Sequence, residues 1–273
     1  MQPQSYLHRL RKLTPVFVLC AIFPVYAQVG LGLSPMRTEL RLAPGASHTG
    51  TLRLVNEGEA VRVRTSLLDF YLDSEQNPQF EPVLPKEAPY SCRGWLTVNP
   101  METEMQIKGE QTIRYTLTVP AGAQPQSYYC AAGFTSLPGL GEAAGFGIRS
   151  AVRVVAAFYV IVGDPPVQGA LSAISMEPVP GSPLKRAVVV FENTGKMYYR
   201  PSGTLEVLDP AGTVIESFDI NPFPVLPERK QRFLFPLKQL AAGRPVTLRV
   251  RADLGTGEIQ EGTASVQTAS NAQ

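Results

Sequence analysis

The feature that most constrains the fold is the run AVRVVAAFYVIV at residues 151–162, closed off by Gly163, Asp164, Pro165 and Pro166. Twelve residues are too few to span a bilayer, and five valines, one isoleucine, Phe158 and Tyr159 favour extended over helical backbone. The run therefore reads as one long strand. Both of its alternating faces are apolar, so it has to be covered on two sides. It is either a central strand of its own domain or one that lends an edge to a partner chain by strand addition. The prolines that follow cannot donate to a sheet ladder and lie past the middle of the chain, so residues 164–166 read as a hinge.

The start of the chain reads as a secretory signal peptide over residues 1–27. Arg9, Arg11 and Lys12 give a basic start, residues 16–25 an apolar middle, and Val25-Tyr26-Ala27 a small-residue cleavage site. Removing it takes three of the 25 basic residues, leaving 22 against 23 acidic ones and a formal charge of −1. The mature protein then lacks the basic surface that nucleic acid demands. It also loses Cys20 and keeps Cys92 and Cys130, an even count that in an exported chain suggests one disulfide, with two separate buried thiols as the alternative. No histidine or third cysteine lies nearby in sequence to make a metal site with them.

The 246 remaining residues suit two domains of ordinary size. Gly, Pro and polar clusters punctuate the chain at short intervals, and no stretch holds apolar positions at helical spacing, so the fold class expected is all-β. The first half reads as about seven strands: 33–42, 49–56, 60–71, 95–98, 111–119, 128–134 and the long run, as an immunoglobulin-like sandwich requires. A Pro-rich connection covers 73–89 and a Gly-rich loop 138–147. The second half repeats the grammar. Asn193-Thr-Gly195 follows an apolar strand as Asn56-Glu-Gly58 does, and an Asp comes 16 residues later at Asp209 and 17 later at Asp73. Two immunoglobulin-like sandwiches in tandem follow, at 28–163 and 167–264, with a loose tail at 265–273.

Residues that could carry chemistry are few. His48, in the turn Pro-Gly-Ala-Ser-His-Thr, reads as a solvated turn residue, and the pairs Glu57/Glu59 and Glu102/Glu104 as solvated strand faces. Gly139, Gly141, Gly145 and Gly147 match no phosphate-binding spacing and precede a strand, not a helix. Trp95 and the pair Tyr198-Tyr199 could make a sugar-stacking surface, but a Trp three residues from Cys92 is expected to pack over the disulfide. Neither an enzyme, a cofactor, a metal nor a small-molecule substrate is indicated.

The order of features resembles the PapD-like periplasmic pilus-assembly chaperones. It comprises the signal peptide, Ser34-Pro35-x-Arg37, the turn at Asn56, the segment from Pro100 to Glu110, Tyr128-Tyr129, and Phe158-Tyr159 before the hinge. The likeness is best over 28–162; in the second half, Phe191 to Gly195 and Arg200 to Gly203 look like related exported β proteins. The resemblance implies a non-enzymatic periplasmic protein that binds subunits of a surface fibre by strand addition, with an outer-membrane usher as a further partner. The alternative is an exported structural or adhesion module. It also implies that Arg37 grips a subunit's C-terminal carboxylate. The lysine the family places two residues before Phe158 is Ala156 here, so Arg153 is taken as the second base, and Ile148, Ser150, Val152 and Val154 as the strand-addition edge.

Overall fold

The computed structural model describes residues 30–137, 151–182, 184–240 and 244–267. The segment read as a signal peptide, residues 1–27, and the Gly-rich stretch 138–147 lie outside them. The described residues are β apart from two short 3-10 turns and form four sheets, two from each half, stacked as two sandwiches.

The front sandwich holds β1 (Leu31–Ser34), β2 (Arg37–Leu42), β3 (Ser47–Asn56), β4 (Val61–Leu72), β5 (Pro78–Glu81), β6 (Leu96–Asn99), β7 (Glu102–Met105), β8 (Glu110–Thr118), β9 (Gln126–Leu137) and β10 (Arg153–Val162). One sheet runs β1-β3-β8-β6 and the other β2-β10-β9-β4-β5, with β7 paired to β4. The rear sandwich pairs β11 (Gly169–Pro178), β12 (Lys185–Asn193) and β15 (Lys230–Leu237) in one sheet. The other runs β14 (Val214–Ile220), β13 (Ser202–Leu208), β16 (Pro245–Asp253) and β17 (Ile259–Gln267).

β10 is covered on both faces, as its composition requires. Ala156, Phe158, Val160 and Val162 point into the front core among Leu52, Ile113, Leu117 and Phe134. Tyr159 and Ile161 point the other way, into a second cluster with Phe70, Tyr129, Met197, Tyr198 and Leu226 that belongs to both sandwiches. Each fully buried side chain of this size stabilises the fold by about 1.5–3 kcal/mol, so both faces of β10 contribute.

Cys92 and Cys130 are joined, with S–S 2.01 Å and Cα–Cα 5.2 Å. Cys130 is on β9 opposite Phe158, and the bridge ties the irregular 82–94 connection to the middle of the sheet. Trp95 packs against the same core, its ring 4.2 Å from that of Tyr128.

The internal repeat is realised as hydrogen bonds. Asn56 is fully buried; its Oδ1 accepts Gly58 N–H at 3.1 Å and its Nδ2 donates to the Glu59 and Gln106 carbonyls. Asn193 does the same, accepting Gly195 N–H at 2.9 Å and donating to Met197 and Val225. Downstream, Asp73 Oδ1 accepts the N–H groups of Glu75 and Asn77, and Asp209 Oδ1 those of Ala211 and Thr213. Within each pair the two side chains shape their turns alike: the asparagines accept the N–H two residues on and donate to carbonyls, and the aspartates accept the N–H groups two and four residues on.

Several expectations are corrected. The strand expected over 33–42 is two strands in different sheets, because Pro35, after a cis Ser34–Pro35 bond, lies where the chain leaves β1 for β2. The Pro-rich connection holds β5, which pairs with β4, and a 3-10 turn at Pro85–Tyr90. His48 lies on β3, 6.0 Å from the Tyr115 ring. Glu102 is held by Arg62 and Arg64 across the β4–β7 pair. The tail does not begin at Ser265: β17 runs to Gln267, paired through Val246 and Pro245 of β16.

Candidate functional site

β10 is paired unequally on its two sides. All ten residues pair antiparallel with β9, from Arg153 opposite Thr135 to Val162 opposite Gln126. On the other side β2 runs parallel and covers only Ala157 to Val162, starting at Arg37 opposite Ala157. The Ala157 N–H donates to the Met36 carbonyl at 2.9 Å, where the β2 pairing begins. Successive residues of a strand turn their backbone groups to alternate sides, so Arg153 and Val155 aim theirs the same way as Ala157. No β2 residue lies opposite them. Val152 aims toward β9, where its carbonyl accepts Ser136 N–H at 2.9 Å and its N–H donates to Ser136 Oγ.

Of the edge residues read from sequence, Val152 and Val154 lie here, half-buried, with Val154 packed on the front core. Ile148 and Ser150 lie outside the described residues. Arg37 stands where the open stretch meets β2. Arg153 does not meet it: its Nε donates to Thr135 Oγ1 at 3.1 Å, four residues before Ala157, or about 13 Å along a strand.

Arg37, Glu39 and Arg41 alternate on the outer face of β2, beside Ala157, Tyr159 and Ile161, while Leu40 and Leu42 turn into the core. This outer face forms one wall of a cleft of about 470 Å³ between the sandwiches, with Met197, Tyr198, Tyr199 and Arg200 opposite. Residues 196–200 are fastened across it. Ser127 N–H donates to the Lys196 carbonyl at 2.9 Å, Tyr198 N–H donates to Ser127 Oγ at 3.0 Å, and Tyr199 exchanges backbone hydrogen bonds with Val225. Arg200 extends from there over the rings of Tyr159 and Tyr198, at 5.0 and 5.6 Å.

Glu39 Oε1 lies 3.1 Å from Arg200 Nη2 and 3.4 Å from Arg37 Nε, so one carboxylate faces a guanidinium from each sandwich. Burial raises the Tyr159 hydroxyl above the ordinary phenol range against the pull of Arg200, and raises that of Tyr198 with help from the Glu39 charge. Tyr198 and Tyr199 are 5% and 3% exposed, so the sugar platform considered for them is not an open surface.

Ion pairs across the remaining contact repeat one polarity, with carboxylates in front and arginines behind. Buried Glu87 pairs with Arg229, and Glu75 with Arg186 and Arg232 at 3.5 and 3.3 Å. Sequence reading missed Glu39, Glu75 and Glu87 and all four arginines as a set. Each pair joins residues far apart in the chain, and only the alternation of charge along β2 was visible beforehand.

No protein-family model and no curated protein matches the chain. Among solved structures it is similar to the class 5 fimbriae chaperone CfaA, at 9% identity over 88% of this chain and 99% of that one, with a TM-score of 0.45. It is also similar to the E. coli chaperone DraB, at 13% identity over 87% and 98% with a TM-score of 0.40. The Pseudomonas aeruginosa CupB2 chaperone is matched at 14% identity over 86% and 100%, with a TM-score of 0.39.

Proposed function

We propose that this is an exported, non-enzymatic chaperone-like protein that takes an extended segment of a guest protein onto the open side of β10. The observation that carries the reading is the break in pairing at Ala157: from there on β10 has β2 as a neighbour, whereas Arg153 and Val155 turn their backbone groups to a side on which no strand pairs with them among the described residues. A guest strand added there lies end to end with β2 on the same side of β10. If it runs in the direction of β2, its C-terminus arrives at Met36 and Arg37. A terminal carboxylate at that point meets a guanidinium able to give it two parallel hydrogen bonds. The resemblance drawn from sequence makes the guest a subunit of a surface fibre, with an outer-membrane usher as further partner. On this reading residues 1–27 are cleaved on export to the periplasm, and residues 164–166 link domains at 28–163 and 167–264.

Val155→Pro tests it, because proline removes one open-side donor while leaving the β9 ladder, which runs through the neighbouring residues, intact. The variant should keep the parent's urea midpoint and bind an extended peptide of alternating apolar residues at least about tenfold more weakly, the worth of one well-made hydrogen bond in a strand addition. Equal binding by parent and variant would refute strand addition at this edge. Absence of any peptide capture by the parent would favour the second reading, a structural or adhesion module, which the burial of both faces of β10 from Phe158 onward supports.

A further inference from the structure

Arg200 is the least satisfied cation of the inter-sandwich cleft. Its side chain is 15% exposed, and its Nε and Nη2 are buried with no hydrogen-bond partner. The Glu39 oxygen at 3.1 Å attracts it but lies off the hydrogen-bonding direction. Unmade bonds on a buried guanidinium are costly, at about 1–3 kcal/mol each. The faces of Tyr159 and Tyr198 offset part of that by attracting the cation, but a ring face gives the guanidinium no bidentate acceptor. Glu39 is 40% exposed and Arg37 57%, so both side chains can rotate toward solvent, whereas Arg200 is packed over two buried rings.

We propose that Glu39 is an internal stand-in for a guest's C-terminal carboxylate: it occupies Arg37 and Arg200 until a guest arrives, and Arg200, from the rear sandwich, is then the second cation of the anchor. This rests on the strand-addition reading. A terminal carboxylate has two oxygens free to align with the Nε and Nη2 fork, which the tethered Glu39 does not do. The arrangement gives the rear sandwich a direct part in recognition and makes Ala156 no obstacle to it. It also predicts that the protein as built holds back affinity, because the guest has to displace a resident carboxylate.

The test uses the full mature chain and one alternating apolar peptide in two forms, ending in a carboxylate or a carboxamide. Glu39→Gln should tighten the carboxylate form about tenfold and the carboxamide form less than about twofold, the difference being one charge-assisted contact. Glu104→Gln, which removes an equal charge from an exposed position on β7, should do neither. Arg200→Gln should erase most of the preference for the carboxylate. If Glu39→Gln shifts both forms equally, or Arg200→Gln leaves the preference intact, the stand-in is refuted while strand addition survives. If no form binds any variant, strand addition fails. Acetate then decides the present inference alone: the nitrogen resonance of Arg200 Nε should respond at lower acetate concentration in Glu39→Gln than in the parent, and equal responses refute it.

Discussion

Glu87 and Arg229 form an ion pair that joins the two sandwiches, its carboxylate 3% exposed and also accepting the Tyr129 hydroxyl at 2.5 Å. Glu87 stands in the Pro85–Tyr90 turn and Arg229 in the approach to β15, so the contact closes over 142 residues of chain. A charge this buried is tolerable only while its partners hold it.

Arg229→Ala should therefore destabilise the protein by about 2–3 kcal/mol, the low end for a broken buried pair because Arg229 itself is 39% exposed. Adding Glu87→Gln to that variant should restore part of the loss, since it removes the stranded charge and keeps an acceptor for Tyr129. Urea midpoints of the three proteins check this. A neutral Arg229→Ala, or a double variant weaker than the single one, would count against the pair as a structural link.

Alkali should attack the same contact. Burial raises the hydroxyls of Tyr90, Tyr129, Tyr159, Tyr198 and Tyr199 above the usual phenol range, and the charge of Glu87 adds to the effect at Tyr129. A folded-state value above the unfolded one gives stability that is complete below the unfolded pKa, about 10, and declines as pH rises toward the folded values. Stability to urea should thus fall steeply above about pH 10. Tyrosinate absorbance should show these five rings ionising together with the loss of structure. Their ionisation in a protein that keeps its native near-ultraviolet dichroism would contradict the assignment.

The parts of this fold legible in the sequence are those fixed by local chemistry. Alternation and β-branching identified β10 and its need for two covers, and the Asn-to-Asp spacing identified a repeat whose buried asparagines do prove to make matching bonds. Cys92 and Cys130 could be paired because they are the two cysteines beyond residues 1–27. What was not legible depends on which strand lies beside which. The sheet switch at Pro35 looks like a continuous strand in the one-dimensional pattern, because Leu33, Leu40 and Leu42 all pack on one core. The cleft escaped for the same reason. Glu39 and Arg200 are ordinary surface residues by type, and only the docking of residues 196–200 on Ser127 brings them within 3.1 Å. Arg153, chosen as the nearest base in sequence, is separated from Arg37 by the parallel register of β2 and β10.

The disulfide supplies a last test, because it lies on the path from the sheet to the inter-sandwich pair. Cys92 follows the turn that carries Glu87 and Tyr90, and Ser91 before it donates to buried Asp69 at 2.5 Å. Closing a loop with a separation of 38 residues should stabilise the fold by about 3–4 kcal/mol through the unfolded chain alone. If that were its whole effect, the losses from Cys92→Ser/Cys130→Ser and from Arg229→Ala would add. The bridge also anchors Glu87's segment to β9, so the Arg229→Ala loss should shrink by roughly half without the disulfide, a coupling on the order of 1 kcal/mol. Amide exchange over residues 85–91 should quicken in the disulfide-free protein while that of β8 stays unchanged. Strict additivity with unchanged exchange at Glu87 would mean that Asp69 and β9 hold the turn unaided, and that the cystine acts on the unfolded chain only.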